Sequence, residues 1–420
     1  MTEKHILEKV QDTNPECEIW WDSSPLVYQN WADSIIALAP AEKKVKWSAQ
    51  LQRLLNLNDV ENSLVRGVTT NPPLSYNVVK NDPETWTEII RQKIEENPGM
   101  TVEQIFWLTY KEVIRRGAEI VKPIWEKSNH KYGYLSGQID PRFAFDFDTM
   151  LQMGLEIAEI SENVMVKSPG TREGYQVIEE LTARGIATNN TLAFSVPQFL
   201  RLMEAIRNGL RRAEEHNVDL YRWRSVITHM SDRFGTLGDL HKEAEARGIK
   251  LSEIDQRWAE IAVFKRAEGI LKERNHPSKM LMCSMRITPK YADGSKDSWH
   301  LTKLTGGDFV YTCPPKYITQ LMEVEDEMVA FNENGFADDP PRELMDKLMK
   351  IPYFRKSYEP DGMQPDQFNH YTPLFETARQ FSDATRNFVD FVARQFEKMG
   401  RQVVPMGIPL PGKKEVEVSA

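Results

Sequence analysis

A single closed (β/α)8 barrel of the TIM type, an α/β fold with helical insertions and a C-terminal helix, is what this sequence predicts. Three observations predict it. Short β-type runs ending in polar residues alternate with longer helical stretches, from about residue 18 to about 315. Strand-then-helix units in series build a parallel sheet joined by right-handed crossovers. About eight such units occur, and no GxGxxG motif follows the first, which favours a closed barrel over an open doubly wound sheet. The length of 420 residues suits one large barrel carrying insertions.

The first run, Glu18-Ile-Trp-Trp-Asp22, reads as a strand, with Trp20 and Trp21 as core, and a helical stretch over 31–57 follows it. The second, Leu64-Val-Arg-Gly-Val-Thr-Thr-Asn71, is closed by Pro72-Pro73. A helical insertion over roughly 83–127 precedes the third, Tyr134-Leu-Ser-Gly-Gln-Ile-Asp140. The fourth, Val164-Met-Val-Lys167, leads through Ser168-Pro169-Gly170 into a helix with Tyr175, Ile178 and Leu181 on one face. Gly185 supplies its stop. Residues 186–191 are the fifth strand candidate. Ser195-Val-Pro-Gln198 reads as a capping box with proline in the first turn, opening a helix through Phe199, Met203, Ile206 and Leu210. The remaining strand candidates are 225–228, 280–285 and 309–311, with a helix around 254–274. The domain reading is one barrel over 1–402 and a flexible tail over 403–420.

Composition narrows the partners. Apolar residues make up 40% and charged residues 27%, the balance of a soluble globular chain. No apolar run approaches the roughly 18 residues of a membrane span, and the acidic start is unlike a secretory signal. Three distant cysteines (Cys17, Cys283 and Cys313) form neither a disulfide framework nor a CxxC pair. A reducing, cytoplasmic setting is the expectation. A net charge of −9 and a pI near 5.6 argue against nucleic acid and for a small-molecule partner. The eight histidines match no metal-binding spacing, and no GxSxG or Walker-type loop occurs.

In a barrel of this type, polar residues at the C-terminal strand ends line the functional mouth. The candidates are Asp22, Thr70 with Asn71, Gln138, Lys167, Asn189 with Thr191, Ser225 and Arg286. Lys167 says most. An amine at a buried strand end loses hydration, its pKa falls, and its lone pair becomes available to attack a carbonyl. The alternative is a lysine reaching out to solvent. Asp22 could move protons on substrate hydroxyls, or simply serve a turn. Asn71, Asn189 and Thr191 could hold hydroxyls of a polyol, or shape turns. Arg286 with Ser284 could hold a phosphate, or form a surface ion pair.

Together these segments resemble a family. Gly67-Val-Thr-Thr-Asn-Pro72 resembles the second-strand motif of transaldolases. Val164-Met-Val-Lys-Ser-Pro-Gly-Thr-Arg-Glu-Gly174 resembles the segment around their Schiff-base lysine. Asn189-Asn-Thr-Leu-Ala-Phe-Ser195 with Gln198 is similar to the next strand and helix start. Ile139-Asp-Pro-Arg142, Cys283-Ser-Met-Arg286 and Thr312-Cys-Pro-Pro315 agree less closely. Order and spacing hold over roughly 18–400.

The resemblance implies transfer of a dihydroxyacetone unit from a ketose phosphate (sedoheptulose 7-phosphate or fructose 6-phosphate) to an aldose phosphate, in the pentose phosphate pathway. Lys167 would form the imine and Asp22 would take the C4 hydroxyl proton. Asn71 and Asn189 would hold hydroxyls, Thr191 would place a relay water, and Ser225 with Arg286 would face the phosphate. A homodimer is a candidate assembly. Two departures accompany the likeness. Gln138 stands where transaldolases have glutamate and fructose-6-phosphate aldolases carry glutamine, which makes an aldolase or a specialised C–C transferase or lyase the alternative. A non-catalytic sugar-phosphate-binding barrel is a second. The stretch Ser225-Val-Ile-Thr-His-Met-Ser-Asp232 also lacks an expected arginine, for which Arg224 or Arg233 could substitute.

Overall fold

The computed structural model of the chain describes residues 3–330 and 332–402. The tail over 403–420 lies outside the described residues. Eight parallel strands close in sequence order: β1 Glu18–Trp21, β2 Val65–Thr69, β3 Tyr134–Gln138, β4 Val164–Pro169, β5 Thr188–Ala193, β6 Ser225–Met230, β7 Lys279–Cys283 and β8 Val310–Cys313. β8 pairs with β1, Val310 opposite Glu18 and Cys313 opposite Trp21, which seals the barrel. The (β/α)8 expectation holds.

Strand alternation sets what each residue does. On β1, Glu18 and Trp20 point to the same side, and Asp22 continues that row past the strand end. Trp20 fills the interior beside Gly67 of β2, where a Cβ would come within 2.4 Å of its indole. Glycine there is a requirement of packing. Trp21 faces the outer layer, its ring 5.0 Å from Tyr28 and 4.9 Å from Trp31. Both tryptophans are fully buried, as expected of core.

The helical stretch expected over 31–57 is two helices, Tyr28–Leu38 and Lys44–Leu54. Pro40 separates them, since it lacks a backbone N–H and restricts the residue before it. The insertion is likewise two helices, Pro83–Glu96 and Val102–Lys127, parted by Asn97-Pro98-Gly99. The helix Arg172–Ala183 ends before Gly185, whose φ of +72° is the left-handed stop the sequence called for. The capping box at Ser195 is not formed. Its hydroxyl donates to Gln198 Oε1 instead of accepting from the helix backbone, and that oxygen also takes the Phe194 N–H.

Two helical segments meet at the C-terminal end of the barrel. The helix Pro72–Asn81 starts there, and Thr372–Lys398, the expected C-terminal helix, crosses against it. Phe388 stacks on Tyr76 at 5.6 Å and meets Phe106 edge-on at 5.2 Å.

Candidate active site

A cavity of about 370 Å³ opens at the C-terminal end of the barrel, and both Lys167 and Asp22 line it. Lys167, on β4, is 5% exposed and donates from Nζ to the Thr70 carbonyl at 3.2 Å. Burial lowers its pKa below the ordinary lysine value, against the pull of nearby Asp22. Asp22 is raised by burial, while Lys167 and a 2.7 Å hydrogen bond from the Thr69 hydroxyl act to lower it. Thr312 continues this chain by hydrogen-bonding Thr69. The result is an amine whose charged form is disfavoured beside a carboxylate in one cavity.

Asn71 serves both of its anticipated readings. Its Oδ1 caps the helix Pro72–Asn81 by accepting from Leu74 N at 3.0 Å, and it lines the Lys167 cavity. Gln138 and Asn189 flank Lys167 in register on β3 and β5, so the three side chains share one face of the sheet. Gln138 is 1% exposed, and its Oε1 has no hydrogen-bond partner. Asn189 is engaged, donating to Ser136 Oγ at 3.0 Å and accepting from Thr228 Oγ1 at 2.7 Å. Thr191 is fully buried and reaches Met230 Sδ at 3.9 Å. Gln138 and Asn189 thus lie beside Lys167 on the inner face of the barrel.

Ser225 is a correction. It is the first residue of β6, so it lies at the opposite end of the barrel, bonded to Ser278 Oγ at 2.9 Å. Thr228, three positions further on, faces the Lys167 cavity. That odd spacing also turns Ser225 to the other face of the strand. It borders a separate cavity of about 470 Å³ at the N-terminal strand ends, with Glu18, Arg224 and Lys279. Arg224 and Lys279 both pair with the Glu18 carboxylate there, so Arg224 is not the substitute arginine.

Arg233 lines the Lys167 cavity from the segment just after β6. No arginine lies within β6 itself, and position 229 there is a histidine. His229 faces outward among Phe199, Phe234 and Phe264, and burial lowers it to about 3. Arg286 lies beyond β7 and is half-exposed. Its Nη2 pairs with Asp232 Oδ2 at 2.8 Å. Asp232 is held in turn by buried Arg257 at 3.0 Å, and Arg257 by Glu260 at 2.6 Å. His300 joins the network, 2.6 Å from Glu260 through Nε2 while Nδ1 accepts the Arg286 N–H. Because Nδ1 accepts, the ring proton is on Nε2.

Some cavity residues escaped sequence reasoning. Thr69 could have been found from its place two residues before Asn71 on the strand-end motif. Cys283 also faces the cavity, with burial raising its thiol to about 12. Gln380 and Phe381 come from the C-terminal helix, and no local pattern points to them.

Fold and site together define a (β/α)8 barrel with a lysine–aspartate pair enclosed at its C-terminal mouth. A family model described as transaldolase/fructose-6-phosphate aldolase matches residues 48–364. The chain belongs to that family. Among similar proteins, a transaldolase of Thiobacillus denitrificans is 28% identical over 273 residues, covering 62% of this chain and 74% of its own. Transaldolase 1 of Streptomyces avermitilis is 30% identical over 264 residues, covering 60% of this chain and 68% of its own. Transaldolase 2 of Streptomyces coelicolor is 26% identical over 205 residues, 48% of this chain and 54% of that protein. No helix among the described residues is long and apolar enough to cross a membrane.

Proposed function

We propose that this protein is a cytoplasmic transaldolase of the pentose phosphate pathway, working through an imine on Lys167 without metal or organic cofactor. The observation that carries this reading is the buried Lys167 amine, its pKa lowered, sharing a cavity with Asp22. The donor is a ketose phosphate, sedoheptulose 7-phosphate or fructose 6-phosphate, and the acceptor an aldose phosphate.

Neutral Lys167 attacks the C2 carbonyl of the donor, and the carbinolamine loses water to give a protonated imine. Asp22 takes the C4 hydroxyl proton as the C3–C4 bond breaks. The bonding pair moves into the iminium as an enamine, and the first aldose leaves. C3 of the enamine then attacks the acceptor aldehyde, Asp22 returns its proton to the new alkoxide, and water releases the product ketose and free Lys167. Asn71 and Asn189 are assigned to dihydroxyacetone hydroxyls. Thr191 and Gln138 are assigned to the water used in imine formation and hydrolysis. Arg233 and Arg286 are assigned to the phosphate.

Reduction with borohydride in the presence of fructose 6-phosphate tests this. A three-carbon adduct on Lys167 is expected by mass spectrometry, with turnover requiring erythrose 4-phosphate as acceptor. An unlabelled Lys167 would refute the mechanism and favour a non-catalytic barrel. The second reading is an aldolase that releases free dihydroxyacetone. Gln138 favours it, because an amide can orient a water but cannot exchange its proton as a carboxylate can. Turnover without acceptor distinguishes the two.

A further inference from the structure

The C-terminal helix Thr372–Lys398 lies beyond the segment matched by the family model, which ends at residue 364. Gln380 and Phe381 of this helix nevertheless line the cavity that holds Lys167. Their contacts converge on Arg233. Its Nη1 donates to Gln380 Oε1 at 2.7 Å and to Thr377 Oγ1 at 3.5 Å, and its guanidinium lies 5.4 Å from the Phe381 ring centre. Those hydrogen-bond partners are neutral. An amide oxygen orients a guanidinium without cancelling its charge, so Arg233 delivers a full positive charge to the cavity. Arg286 differs, since its charge is shared with Asp232.

We propose that Gln380 is the positioning residue that presents Arg233 to the anionic end of the substrate. Through it the C-terminal helix sets the preference for phosphorylated over unphosphorylated sugars. This rests on the reading of the site as one for sugar phosphates, and it adds to that reading the element that selects them.

Two substitutions separate positioning from mere support. Gln380→Ala removes the anchor and keeps the charge of Arg233. Gln380→Glu keeps the shape and neutralises that charge. The KM for fructose 6-phosphate should rise about tenfold in Gln380→Ala, the loss of one hydrogen bond to a charged group. The rise should be larger in Gln380→Glu. The change should fall mainly on KM, and kcat/KM should drop far more for fructose 6-phosphate than for fructose. Titration calorimetry with inorganic phosphate should give the same order: wild type tightest, then Ala, then Glu. A scaffold role alone predicts the reverse, because glutamate is the closer isostere. Gln380→Glu binding phosphate as well as wild type would overturn the proposal, as would equal losses on both sugars. The calorimetry reads Gln380 independently of imine chemistry, so a wild type that binds phosphate but does not trap refutes the transaldolase mechanism and leaves this assignment testable.

Discussion

At Lys167 two effects oppose each other. Burial favours the neutral amine, the Asp22 carboxylate favours the ammonium, and burial is the larger. Imine formation needs the neutral form, so its rate should climb with pH and level off below the range of an ordinary lysine. Asp22→Asn removes the stabilising anion. Its trapping profile should therefore shift to lower pH while trapping itself persists. C–C cleavage in the same variant should slow by ~10²–10⁴, the range for a lost acid–base group. Unimpaired cleavage would move the proton transfer elsewhere. Lys167→Ala should lose both turnover and the borohydride adduct with the melting temperature retained.

Gln138 tests the relay on the opposite side of Lys167. Its unpartnered Oε1 sits in register with the lysine. Gln138→Glu adds a negative charge there, which favours protonated Lys167 and raises Asp22. The pH optimum should move up. Transfer from fructose 6-phosphate to erythrose 4-phosphate at that optimum should equal or exceed wild type. Loss of transfer together with cleavage would count against an ordinary transaldolase.

Among the elements, the turn after β3 shows a motif whose role is structural. Arg142 reaches Asp140 at 2.6 Å and Glu103 at 2.8 Å, joining that turn to the start of the helix Val102–Lys127. Asp140 is 1% exposed. Arg142→Ala would leave its charge buried with no cation, a loss of about 3 kcal/mol for a broken buried pair. Urea unfolding should show a lower midpoint, with borohydride trapping intact in the remaining folded protein. An unchanged midpoint would mean that water replaces the guanidinium at little cost.

For the whole molecule, buried histidines govern the acid side of stability. Burial lowers His5 and His276 to about 4, His229 to about 3, and His300 well below its usual value. All four must take up protons on unfolding as pH falls from about 6.5 toward 4. Buried carboxyls act the other way in that window: Glu260 is raised to about 8 and Glu268 to about 7, and burial raises Asp22 and Asp297 as well. The unfolded chain then binds more protons than the folded one, so stability should fall with pH. Thermal melts between pH 7 and 5 should show a declining midpoint. A flat profile would mean that the carboxyls balance the histidines.

The barrel was legible because strand-then-helix alternation and strand-end polarity are written locally, in runs of a few residues. So were Lys167, Asp22 and Asn71 as mouth residues, since each stands at the end of a β-type run. Ser225 was misread because it begins its run, and only the strand bounds reveal which end of the barrel a residue occupies. Arg233 against Arg224 was left open because the two arginines, nine positions apart, flank opposite ends of one strand, and the sequence does not state which end each reaches. Gln380 and Phe381 were invisible for a further reason. They lie more than two hundred residues beyond Lys167, on a helix whose amphipathic pattern says only that one face is buried. Local periodicity determined the elements and the lysine at the strand end. Long-range packing of the C-terminal helix across the mouth decided which side chains close the cavity.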